Sequence, residues 1–179
     1  MNRKKLIIIH HCGTIGGSGR SLLQTVNMLS EKYDISVLCP ADSQMSVFLT
    51  DNNIDVIPYS FRLGSLSYYS GGPDIFGRTF FKEILYILKN RRRRIELLKN
   101  CGADLIMINS VTESFIAKEI KKYTSSKCIC FVRETLPHIK KGKNKGYGFF
   151  FNFLKRYMEK YCDGVFFISD FDRLSYNLS

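Results

Sequence analysis

The sequence predicts a doubly wound α/β fold with a mainly parallel sheet, a Rossmann-like three-layer sandwich. Three observations predict it. Short apolar runs such as Leu6-Ile7-Ile8-Ile9 and Leu105-Ile106-Met107-Ile108 alternate with longer amphipathic stretches, the pattern of βαβ units. The runs are apolar on consecutive residues, as strands covered by helices on both faces are. A glycine-rich segment over residues 12–19 follows the first run, where such folds turn from strand to helix.

The elements follow in order. Residues 5–11 read as a strand and 12–19 as a glycine-rich loop. Over 20–32, Leu22, Leu23, Val26 and Leu29 share one helical face. Residues 35–39 form a second strand closed by Pro40, and 43–52 a short helix with Ser43 as its candidate cap. A third strand covers 55–58. Residues 59–80 carry Gly64, Gly71, Gly72, Pro73 and Gly77 and read as a long loop, a length usually kept for function. A helix is expected over 81–100, a strand over 104–108, a helix over 111–123 and a strand over 127–132. A basic loop leads to a helix over 147–161, a strand over 164–168 and a further helix from Asp170. Parallel neighbours joined by helices imply right-handed crossovers.

The chain has 179 residues, 45% hydrophobic and 24% charged, which suits one globular domain over 1–179. No apolar run approaches the roughly 18–20 residues of a membrane-spanning helix. The charged start and short apolar stretch ending at His10-His11 read as a first strand, not a signal peptide. A cytoplasmic protein, peripheral on the inner face of the membrane if membrane-bound at all, is the expectation. The six cysteines are scattered without a Cys-x-x-Cys pair, so no metal site is expected. His10 and His11, as strand neighbours, would point to opposite faces. The net charge of +11 suggests an anionic partner. No nucleic-acid recognition motif accompanies it.

Ligands of such sheets bind beyond the carboxyl ends of the strands, and Gly13-Thr14-Ile15-Gly16-Gly17-Ser18-Gly19-Arg20-Ser21 falls there. Glycine lets backbone approach a ligand, and the helix N-terminus offers free N–H groups to an anion. A tight turn without a ligand is the competing explanation. Two nucleotide motifs fail on inspection. The dinucleotide fingerprint meets Leu22 where its third glycine belongs, and Cys39-Pro40 stands where an acidic residue should close the second strand. A P-loop fails because Arg20 replaces its lysine and Thr14 its first glycine.

Four segments resemble the N-terminal domain of family 4-like glycosyltransferases: Gly16-Gly17-Ser18-Gly19-Arg20-Ser21, Asp104 to Ser110, Phe131-Val132-Arg133-Glu134, and Cys162 to Phe171. The resemblance implies one half of a GT-B enzyme, two Rossmann-like domains around a cleft. It would move a hexosyl group, with retention, from a nucleotide-sugar donor to a glycan or lipid-linked acceptor in polysaccharide or glycolipid synthesis. By that likeness Gly16, Gly17, Ser18 and Arg20 lie against donor phosphate or sugar. Asn109, Ser110, Arg133 and Glu134 are candidate substrate contacts, with capping by Ser110 and a structural pairing of Arg133 with Glu134 as alternatives. Arg133-Glu134 stands where many members carry a histidine, so the catalytic group is unassigned; His138 is a loop residue beside Pro137. The nucleotide-sugar is a substrate, and no cofactor is expected. A C-terminal donor-binding domain should follow Ser179, in the same polypeptide or as a separate subunit, and the isolated half should be inactive. A non-catalytic partner subunit is the alternative reading, and a nucleotide-dependent oxidoreductase a weaker one.

Two basic segments remain. Lys140, Lys141, Lys143 and Lys145 precede an aromatic helix in which Phe149 and Phe153 join a broad apolar face, suited to an anionic bilayer surface or to a wide core contact. Arg91-Arg92-Arg93-Arg94 would be spread around its helix, with a solvated face as the default.

Overall fold

The computed structural model describes residues 3–66, 78–133 and 145–176, leaving the side chains of 78, 79, 145–151 and 175 aside. One six-stranded sheet runs in the order β3-β2-β1-β4-β5-β6, and every neighbouring pair is parallel. The strands are β1 (Lys4–Ile9), β2 (Tyr33–Pro40), β3 (Asp55–Tyr59), β4 (Leu105–Ile108), β5 (Lys127–Val132) and β6 (Gly164–Phe167). The chain builds outward from β1 to β3, then returns to β1's other side with β4. The switch point therefore lies between β1 and β4, where a crevice opens beyond the carboxyl ends of the strands.

Alternation along β1 divides the interior in two. Leu6 and Ile8 join Leu22 and Val26 of α1 (Gly17–Leu29), and Met45 and Leu49 of α2 (Gln44–Asp51). Ile7 and Ile9 face the other layer, with Val111, Ile116, Ile120, Leu154 and Met158. Most of these side chains are 0–1% exposed, and each contributes about 1.5–3 kcal/mol through burial. Layer two is built from α3 (Arg78–Lys89), α4 (Arg91–Asn100), α5 (Ala117–Tyr123) and α6 (Lys145–Tyr161). The last element is α7 (Asp170–Tyr176).

Several expectations need adjusting. β1 ends at Ile9, so both histidines lie beyond the strand. Ser43 does cap α2, in a capping box with Ser46. The long helix over 81–100 is two helices, broken at Asn90, whose side-chain amide donates to the Arg62 carbonyl at 2.9 Å. The helix over 111–123 starts as a 3-10 turn (Val111–Ile116). Arg94 is not part of a solvated face: it is 1% exposed. Its Nε and NH2 groups donate to Glu119 at 2.6 and 2.7 Å, and further bonds reach the Leu63 and Ile87 carbonyls. A guanidinium so buried must be paired and fully bonded to persist. It ties residues 61–66 to the helices.

All six cysteines are free thiols, with Cys39, Cys101, Cys128 and Cys130 buried. Among the described residues no group of three or more His, Cys, Asp or Glu could hold a metal ion, and no helix is long and apolar enough to cross a membrane.

Candidate functional site

Residues 10–16 leave the end of β1 and enter α1. Gly16 is the N-cap, extended at φ −111°, and no side chain caps the helix or places an acid in its first turn. The first-turn amides are thus left to outside acceptors. A Cβ added at Gly16 or Gly17 would meet nothing within 4 Å, whereas one at Gly19 would lie 2.9 Å from Met45 Sδ. Gly19 is needed for close packing against α2; Gly16 and Gly17 face open space. Ser18 and Arg20 are exposed on the same turn.

Beside this open loop runs a buried polar seam. Glu113 is 1% exposed, and its Oε2 lies 2.8 Å from His11 Nδ1. Its Oε1 accepts from the Thr112 hydroxyl at 2.8 Å, and Thr112 in turn contacts Ser110 Oγ at 2.7 Å. The Ser110 hydroxyl also accepts the Thr112 amide at 3.2 Å, so its capping role is realised. The carboxylate thus stands behind the imidazole at ion-pair distance.

A second chain starts at His10. Arg133 Nε donates to Asn109 Oδ1 at 2.7 Å. The Asn109 amide nitrogen, its orientation fixed by that bond, lies 3.1 Å from His10 Nδ1. His10 therefore accepts at Nδ1 and carries its proton on Nε2. Burial, reinforced by the neighbouring His11, lowers the His10 pKa to about 4. The rest of the Arg133 guanidinium donates to Ser21 Oγ and, at 3.1 Å, to Thr25 Oγ1. It also stacks over Phe131, 4.5 Å from the ring centroid. Arg133 and Asn109 thus join the ends of β5 and β4 to α1.

A cleft of about 250 Å3 opens at His11, walled by Pro40, Tyr59, Phe61 and Leu63, with Arg62 and Glu83 also lining it. Arg62 pairs with Glu83, whose other oxygen accepts the Ser65 amide at 3.0 Å. Gly64 is required here: at φ +82° an added Cβ would lie 2.5 Å from Ile87.

The structure therefore brings Asn109, Ser110 and Arg133 together, and sets Gly16, Gly17, Ser18 and Arg20 on the neighbouring turn. Glu134, His138, Lys140, Lys141 and Lys143 lie outside the described residues, as do the side chains of Lys145 and Phe149. Phe153 is exposed on α6, in a shallow groove with Arg156, Tyr157 and Lys160. His10, His11, Glu113 and the Tyr59–Phe61 wall had not been singled out. The available signal was position: two histidines directly after the first strand of an α/β sheet stand at its ligand-binding end.

This strand order and site position define a Rossmann-like fold of the kind that forms one half of a GT-B glycosyltransferase. No protein-family model matches the chain, and no curated protein matches its sequence. Solved structures do share the fold. Anabaena HepE, in complex with UDP and glucose, superposes with a TM-score of 0.62 at 14% identity, over 97% of this chain and 40% of HepE. A Rickettsia africae glycosyltransferase gives 0.55 at 14% identity, over 100% of this chain and 41% of its own. Acinetobacter baumannii MurG gives 0.52 at 14% identity, over 90% and 40%. The chain spans about two fifths of the length of each of these proteins.

Proposed function

We propose that this chain is the acceptor-side, N-terminal half of a glycosyltransferase that moves a sugar from a nucleotide-sugar donor to a hydroxyl of a glycan or lipid-linked acceptor. One observation carries the reading: the His11 imidazole, backed at 2.8 Å by the buried Glu113 carboxylate, lines a cleft beyond the carboxyl ends of β1, β2 and β3. With its proton on Nδ1, His11 can take the acceptor's hydroxyl proton on Nε2. The acceptor oxygen then bonds to the anomeric carbon as the bond to the nucleoside diphosphate breaks and its electron pair leaves with the diphosphate. First-turn amides of α1, beside Gly16 and Gly17, stabilise that charge. Tyr59 and Phe61 offer flat walls on which the acceptor can stack.

The family likeness implies retention, but a base facing the acceptor favours direct displacement, which inverts the anomeric centre. HepE is described in complex with UDP-glucose, which makes UDP-sugars the first donors to try. The reading requires a donor-binding half, in the same polypeptide or as a separate subunit, and gives the isolated chain no transferase activity. The charge of +11 supports an anionic membrane surface as a further partner.

The test pairs this chain with a donor-binding half, sought in the coding sequence that follows Ser179, and follows nucleoside diphosphate release from a panel of nucleotide sugars. Anomeric proton couplings of the product read the stereochemistry. Acceptor-dependent release with inversion is expected. No release with any donor would reduce the chain to a binding module, and retention would remove His11 as the base of a direct displacement.

A further inference from the structure

Helix α3 has two apolar faces and one partner. Phe80, Ile84 and Ile87 pack against the second core layer, and Glu83 is buried against Arg62 and Ser65. Phe81, Leu85 and Leu88 point the other way and are 56%, 64% and 63% exposed. Spaced four and three residues apart, they form a stripe about 60° wide along the helix. Lys82 and Lys89 lie together along one edge of that stripe, about 40–120° round the helix from its members. Both are exposed and form no ion pair among the described residues, and the same holds for Arg92 and Arg93 at the start of α4. Over residues 80–100 six exposed cations face one exposed carboxylate, Glu96.

We infer that the α3 stripe is a docking surface for an anionic lipid bilayer, with Phe81, Leu85 and Leu88 entering the headgroup–acyl boundary and Lys82, Lys89, Arg92 and Arg93 meeting lipid phosphates. The charge distribution selects this occupant. The surplus of exposed cations over carboxylates along α3 and α4 matches a uniformly anionic surface, and lysines flanking an apolar stripe extend to the headgroups of a bilayer. The surplus of cations adds attraction that falls off within a Debye length. This names the surface for the membrane partner of the proposed transferase and rests on that reading.

The experiment is co-sedimentation of the purified full chain with vesicles of equal parts phosphatidylglycerol and phosphatidylcholine, and with phosphatidylcholine alone. The chain should pellet with the anionic vesicles and not the neutral ones, and release as salt is raised. The triple variant Phe81→Ser, Leu85→Ser, Leu88→Ser should lower partitioning about tenfold or more, since each removes apolar area from the boundary. Lys82→Glu with Lys89→Glu should have a similar effect. The lysine variant alters only exposed groups, so it keeps the test decisive if the triple variant folds poorly. Wild-type-like pelleting by the lysine variant, or no pelleting of the native chain, overturns the inference. So does a native dimer that the triple variant dissolves, which would assign the stripe to a second copy. Vesicle binding uses neither donor nor partner half, so its failure leaves diphosphate release with a soluble acceptor untouched, and the converse holds.

Discussion

A methyl group added at Gly16 or Gly17 would touch nothing within 4 Å, whereas a few residues away Glu113 and His10 are 1% and 2% exposed and held in polar chains. One region is vacant backbone, shaped for something that comes from outside. The other is a buried set of polar side chains from just beyond β1, β4 and β5 and from α1. The contrast separates two requirements of the proposed chemistry. An anion site needs free N–H groups and room to approach them. A base needs a fixed tautomer and a fixed position, which only a packed, bonded surrounding supplies.

Substitutions should therefore act in opposite ways on the two regions. The largest stability effect belongs to the seam. Arg133→Met removes the donor to Asn109, Ser21 and Thr25 and leaves Asn109 Oδ1 without that partner. A loss of about 3–4 kcal/mol is expected in urea unfolding, since breaking a partly buried charged network strands its acceptors. A loss under about 1 kcal/mol would mean the network is ornamental.

Acid should reveal the seam next. The His10 pKa of about 4 lies below its unfolded value near 6.5. The folded state is then neutral at His10 while the unfolded state takes a proton. The stabilisation is full above about pH 6.5 and lost progressively down to about pH 4, for a total of about 3 kcal/mol. Denaturation midpoints measured across that window should fall as pH falls, and His10→Gln should flatten the slope. An unchanged slope would place the acid sensitivity elsewhere.

Gly19→Ala sits on the boundary between the two regions, where its methyl would press on Met45. A cost of about 1 kcal/mol is expected. Gly17→Ala, two residues earlier in open space, should stay within about 0.5 kcal/mol of the native chain. The pair, compared by thermal unfolding, sharpens the claim that the vacancy is local to residues 16 and 17. Equal costs at both positions would blur it.

The same division explains what could be read in the sequence. Glycine announces itself: Gly16 and Gly17 were visible because the residue type and its place after a strand carry the meaning. The doubly wound parallel sheet could be anticipated because Leu6 to Ile9 and Leu105 to Ile108 are apolar throughout, as doubly covered strands are. The seam was mostly hidden. Arg133 meets Ser21 across 112 residues and Asn109 meets His10 across 99, and no local pattern marks such pairs. Glu113, an acid in the first turn after Ser110, carries no mark in the sequence. Only burial beside His11 distinguishes it. Arg94 was misleading for the same reason, since a run of four arginines reads as a solvated face until one finds its partner at Glu119.

The most direct measurement of the central claim is kcat/KM for glycosyl transfer by the assembled enzyme carrying His11→Asn. Loss of the base should lower kcat/KM by about 10²–10⁴-fold, mainly through kcat and with little change in the KM for the donor. Activity within about twofold of the native enzyme, a difference too small for the loss of a general base, would contradict the account and leave the His11–Glu113 pair as a structural feature of the switch point.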